Sequence, residues 1–174
     1  MIDVVQTELE GVLLIKPSYF KDHRGGFLET YNEKLYKAKG ITIDFVEDDI
    51  SVGKKDVIKG VHGDYVTWKL VSCLHGEVYL VVINYDEESG GFGKWQSFIL
   101  SEENNYQVLI PPKHGNGHLV LSDKSIFHYK QSAYYNRSGQ FTIKWDDPEF
   151  NMKWPVKNPI LSERDKTGGK GQVL

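Results

Sequence analysis

Residues 77–85, Glu77-Val78-Tyr79-Leu80-Val81-Val82-Ile83-Asn84-Tyr85, decide the fold class. The run is β-branched and aromatic and is apolar at odd and even positions alike, which predicts a central strand covered on both faces. Outward from it, similar short segments recur with turn residues between them, at residues 12–15, 27–31, 43–46, 57–61, 68–73, 95–100, 107–110, 118–121, 126–131 and 141–145. About eleven short strands predict an all-β jelly-roll barrel, in which two sheets pack inner face to inner face. A single short, peripheral helix is expected over residues 32–39, where Tyr31, Leu35 and Lys39 share a face and Gly40 supplies the stop.

The 174 residues predict one domain spanning 1–174, with residues 166–174, which contain Thr167-Gly168-Gly169-Lys170-Gly171, as a flexible tail. A composition of 40% hydrophobic and 26% charged residues excludes general disorder. No apolar run is long enough for a bilayer and residues 1–10 carry no basic-then-apolar leader, so a cytoplasmic protein without a membrane partner is expected. The 21 basic and 24 acidic residues leave a net charge of −3, which offers no global field for nucleic acid. The lone Cys73 lies in an apolar run and reads as a buried, inert thiol. Gly90-Gly91-Phe92-Gly93 lacks the strand-to-helix context of a phosphate loop and reads as a plain turn.

Among six histidines, His62 stands out: it ends a predicted strand, precedes Gly63-Asp64, and has Lys69 at the start of the next strand. One reading is a metal site, with His62 and Asp64 at His-x-Asp spacing and His118 further along. Against it, no two histidines lie one residue apart, and the strand after His118 carries His128 and Lys130 where an oxoglutarate enzyme would want an arginine. No metal is therefore expected.

A second reading comes from motifs in fixed order. These are Phe20-Lys21-Asp22-His23-Arg24-Gly25-Gly26-Phe27-Leu28-Glu29, Phe45-Val46-Glu47-Asp48-Asp49-Ile50-Ser51, Lys59-Gly60-Val61-His62, Lys69-Leu70-Val71, Leu109-Ile110-Pro111, Tyr129-Lys130, Ile143-Lys144-Trp145-Asp146-Asp147-Pro148 and Leu161-Ser162-Glu163-Arg164-Asp165. Together they resemble the dTDP-4-dehydrorhamnose 3,5-epimerase family over nearly the whole chain. The resemblance implies a cupin jelly roll, a homodimer with exchanged N-terminal strands, and catalysis without metal or nicotinamide cofactor. It implies a nucleotide-linked 4-keto sugar as substrate, His62 as base, Asp165 as its support, Lys69 at the enolate oxygen and Tyr129 as the acid on the opposite face. It also implies Tyr135 in the sugar pocket, and Arg24, Phe27 and Glu29 facing the nucleotide of the neighbouring subunit.

The chemistry makes these demands independently. Abstracting a proton beside a ketone with an imidazole leaves a gap of about 13 pKa units, roughly 17 kcal/mol. A base alone does not close it, so a cation or hydrogen-bond donor must meet the forming enolate, and a carboxylate must orient the base.

Departures from the family pattern concern the substrate. Gly63 and Asp64 stand where a Tyr-Gln pair is usual, Glu47 and Asp49 replace Gln and Asn, Lys59 replaces an arginine, and Asn116 replaces a pocket histidine. Of these, Glu47, Asp49, Lys59 and Asn116 are counted as substrate-binding, while the combination Val61-His62-Gly63-Asp64, Thr67-Trp68-Lys69-Leu70 and Leu161-Ser162-Glu163-Arg164-Asp165 is similar to a branch acting on GDP-linked 4-keto-heptoses of bacterial capsules, with Gly63 making room for a larger sugar. The expected activity is thus C3, or C3 and C5, epimerisation of a GDP-4-keto-heptose. Alternatives are a dTDP-4-dehydrorhamnose 3,5-epimerase, a 3,4-ketoisomerase of 4-keto nucleotide sugars, and a cupin that binds a nucleotide sugar without turning it over.

Overall fold

The computed structural model describes residues 2–168. Its strands are β1 (Ile2–Gln6), β2 (Leu13–Pro17), β3 (Tyr19–Asp22), β4 (Gly25–Leu28), β5 (Glu47–Lys54), β6 (Ile58–Gly63), β7 (Lys69–His75), β8 (Glu77–Asn84), β9 (Trp95–Ser101), β10 (Gln107–Ile110), β11 (His114–Val120), β12 (Lys124–Gln131) and β13 (Phe141–Thr142). Two short helices, α1 (Glu33–Ala38) and α2 (Glu163–Thr167), and one 3₁₀ turn complete it. A six-stranded sheet in the order β1-β2-β10-β7-β12-β5 packs on a five-stranded sheet in the order β13-β6-β11-β8-β9, while β3 and β4 form a separate hairpin.

The segment that decided the fold behaves as its pattern requires. Val78, Leu80 and Val82 of β8 join Val71, Val108 and Phe127 of the opposite sheet in the inter-sheet core. Val81 and Ile83 face outward, where Ile143 and Met152 of the C-terminal segment bury them. Cys73 lies in the inner core, and burial pushes its thiol up to about 11, as befits an unreactive side chain.

Several boundaries differ from expectation. No strand forms at residues 43–46: Ile43 and Phe45 instead cover Tyr36 and Leu70, and pairing with β12 begins at Glu47. The alternating polar strand β5 and the terminal strand β1 carried too little apolar signal to be anticipated. The expected strand over 141–145 shortens to two residues because Lys144 to Asp147 form a turn. Helix α1 starts where Asn32 caps the Leu35 N–H and ends before Gly40 at φ +85°. Its buried residue is Tyr36, bonded to Gln107. Lys166 and Thr167, expected in a flexible tail, belong to α2, which Gly168 closes at φ +67°; the rest of that tail lies outside the described residues. No helix of the described residues is long and apolar enough to cross a membrane.

Candidate active site

One end of the barrel opens into a cavity of about 620 Å³. Strand alternation points Glu47, Asp49 and Ser51 of β5, Lys69 of β7, and Phe127, Tyr129 and Gln131 of β12 into it from the six-stranded sheet. From the other sheet come Lys59 and His62 of β6 and Asn116 and His118 of β11. Lys59 and His62 are three residues apart, so a regular strand would send them to opposite faces. A register shift beside Gly60, at φ +112°, rephases the strand and turns both inward. Gly60 is required there, since a Cβ would lie 2.6 Å from Gly117 Cα.

His62 Nε2 lies 2.6 Å from Asp165 Oδ1, and Asp165 is buried. The carboxylate comes from α2, whose N-cap Ser162 donates from Oγ to Asp165 Oδ2 at 2.8 Å. Lys69 crosses from the facing sheet and donates from Nζ to Asn116 Oδ1 at 3.3 Å, and Asn116 is the cross-strand neighbour of His62. Burial lowers the Lys69 pKa. Burial raises that of the Tyr129 phenol, with Asp49, Tyr135 and Glu47 adding to the effect, so Tyr129 keeps its proton. His118 stacks on Phe127, with ring centroids 4.1 Å apart. Burial, helped by the charges of Lys59 and His62, depresses its pKa to about 3, so its ring is neutral.

Nine of the twelve anticipated site residues line this cavity: His62, Lys69, Tyr129, Asp165, Glu47, Asp49, Lys59, Asn116 and Tyr135. Some are already engaged. Glu47 holds Gln131 Nε2 at 2.6 Å and the Tyr135 backbone N–H at 3.1 Å, while Asp49 accepts from the same Gln131 amide at 3.0 Å. Lys59 donates to Ser51 Oγ at 2.7 Å and to the Val52 carbonyl at 2.8 Å. Arg24, Phe27 and Glu29 do not enter the cavity: they lie on or beside the β3–β4 hairpin, where Arg24 pairs with Asp22 at 2.6 Å and Phe27 is 67% exposed.

One expectation fails on geometry, and the grouping weighed and set aside as a metal site is also absent. Gly63 points away from the cavity: a Cβ there would sit 2.3 Å from the Phe141 ring and 2.4 Å from the His114 carbonyl, so this glycine makes room for Phe141 and not for a larger sugar. The His62, Asp64 and His118 triad is not assembled either. Asp64 accepts the backbone N–H groups of Val66 and Thr67 at 3.0 and 2.7 Å, and among the described residues no group of three or more His, Cys, Asp or Glu could hold a metal.

Strand alternation alone puts Gln131 inward beside Tyr129, whereas Ser162 and Arg164 were not singled out as site residues from the sequence. Arg164 anchors α2 by donating from Nε to Thr142 Oγ1 at 2.9 Å and from Nη2 to Gln140 Oε1 at 3.1 Å. A signal for Ser162 was present, because a serine three residues before an acidic residue is an N-cap pattern.

The fold and site define a carbohydrate epimerase on a cupin jelly roll. A family model described as dTDP-4-dehydrorhamnose 3,5-epimerase matches residues 6–170. The chain is 39% identical to the dTDP-4-dehydrorhamnose 3,5-epimerase of Shigella flexneri over 97% of this chain and 96% of that one. It is also similar to the solved dTDP-6-deoxy-D-glucose-3,5-epimerase of Legionella pneumophila Philadelphia 1 in complex with dTDP-4-keto-L-rhamnose, at TM-score 0.92 and 35% identity over 97% and 92% of the two chains. A third likeness is to the dTDP-4-dehydrorhamnose 3,5-epimerase of Bacillus anthracis str. Ames with TDP and PPi bound, at TM-score 0.92 and 32% identity over 95% and 97%. The chain belongs to the dTDP-4-dehydrorhamnose 3,5-epimerase family.

Proposed function

We propose that this epimerase inverts C3 and C5 of a dTDP-linked 4-keto-6-deoxyhexose through an enolate. The observation that carries the reading is the placement of the His62–Asp165 pair on one wall of the cavity and Tyr129 on the facing wall, with Lys69 reaching from the second wall to the first. His62 is bonded to Asp165 through Nε2, so Nδ1 is the nitrogen that takes the proton. The Lys69 ammonium, desolvated beside Asn116, meets the charge that grows on the C4 oxygen, where a buried cation acts far more strongly than in water. Tyr129, protonated and on the other face, returns a proton from that side.

The dTDP-linked substrate replaces the GDP-heptose expectation for two reasons. Relatives of comparable length are named for dTDP-linked sugars, and the glycine thought to enlarge the pocket faces Phe141 instead. Arg24, Phe27 and Glu29 lie outside this chain's cavity, and we assign them to the nucleotide site of a second copy in a homodimer. In D₂O with dTDP-4-keto-6-deoxyglucose, the protein places deuterium at C3 and C5, read by NMR. Incorporation only with a GDP-linked 4-keto sugar run alongside would overturn the nucleotide assignment, and none with either would overturn the activity.

A further inference from the structure

The base and its support stand on very different foundations. His62 is built into β6, hydrogen-bonded on both edges by β11 and β13. Asp165 sits in a five-residue helix, too short to persist by itself. A carboxylate on such an element orients an imidazole only if its own rotation is blocked.

Ser162 supplies the block. As N-cap of α2, its Oγ accepts the Asp165 backbone N–H at 3.2 Å. Capping uses a lone pair and leaves the hydroxyl proton free, and that proton goes to Asp165 Oδ2 at 2.8 Å. One hydroxyl therefore grips Asp165 by its main chain and its side chain, while Oδ1 faces His62 Nε2 at 2.6 Å. Without that bond a buried carboxylate oxygen loses a partner, and the group gains a rotation that carries Oδ1 off the ring.

We infer that Ser162 is a positioning residue that extends the His62–Asp165 pair to three members and acts on His62 through Asp165. The inference rests on the proposed role of His62 for its kinetic consequence, but its structural content is testable without substrate. The shared proton of the His62–Asp165 bond gives a proton NMR signal far downfield of the amides, assigned by its absence in His62→Asn.

In Ser162→Ala this signal weakens or moves upfield, and Ser162→Thr, which keeps the hydroxyl, restores it. If loss of the cap unfolds the alanine variant, Ser162→Gly, a tolerated N-cap without a hydroxyl, carries the same expectation. Turnover should fall roughly 3- to 10-fold at unchanged KM, the worth of one hydrogen bond. A wild-type signal and kcat accompanied only by a lower Tm would reduce Ser162 to a helix cap and overturn the inference. A raised KM with the signal intact would make it a substrate contact and overturn it equally. If the wild-type protein turns over no 4-keto nucleotide sugar, the functional reading fails, while the NMR signal still decides the role of Ser162.

Discussion

His62 and Tyr129 line one cavity from opposing sheets, His62 from β6 of the five-stranded sheet and Tyr129 from β12 of the six-stranded sheet. Under the roles proposed above, a sugar ring between them has a base on one face and an acid on the other, which is the geometry inversion requires. His62→Asn should abolish both solvent exchange and epimerisation. Asp165→Asn keeps the shape of the site but loses the charge that supports the imidazolium, and should lower kcat by roughly 10²–10⁴. Steady-state kinetics with a 4-keto nucleotide sugar checks both.

Lys69, proposed to meet the enolate charge, is held in the cavity at a cost in stability. Its folded pKa lies below the unfolded value, so the unfolded chain binds more protons in the interval between them, and stability rises as pH climbs through it. While Lys69 is protonated, the folded protein carries the cost of a buried ammonium. Lys69→Met should therefore be inactive yet melt a few degrees higher, since about 1 kcal/mol corresponds to roughly 2–4 °C at this size. Thermal melts at increasing pH should show this advantage shrinking.

His118 should govern part of the acid sensitivity. Its pKa falls from 6.5 to about 3 on folding, so its contribution is present above pH 6.5 and is lost as pH drops towards 3. The interval corresponds to something on the order of 4–5 kcal/mol. His118→Phe keeps a ring against Phe127 but cannot be protonated. Denaturation at pH 7 and pH 4 should show a smaller loss of stability in the variant than in the wild type.

Gly63→Ala tests the correction to the pocket reading. A methyl group there meets Phe141 and the His114 carbonyl on the side away from the cavity. The substitution should destabilise by about 1–3 kcal/mol and leave KM unchanged. A changed KM for a larger sugar without loss of stability would restore the room-making role.

The β8 pattern and the ordered motifs made the fold and most of the cavity legible, because a strand buried on both faces and a chemistry-bearing residue at a strand end are local signals. Gly63 shows where a local rule was available and outweighed: alternation places it on the face opposite His62, which rules out a pocket role. Lys59 shows the reverse, since alternation separates it from His62 and only the shift at Gly60 reunites them. Alternation with Tyr129 puts Gln131 inward, but its partners Glu47 and Asp49, like Arg164 and its partners Gln140 and Thr142, were not legible, since they are fixed by tertiary packing across 22 to 84 positions of sequence.

The division of labour between the two walls is tested most directly by Tyr129→Phe, incubated in D₂O with dTDP-4-keto-6-deoxyglucose and followed at C3 by NMR. With His62 as the proposed base, the proton is still removed and deuterium returns only to the face it came from, so the predicted result is deuterium at C3 with configuration retained. Inversion at the wild-type rate, or loss of exchange together with inversion, would contradict the account.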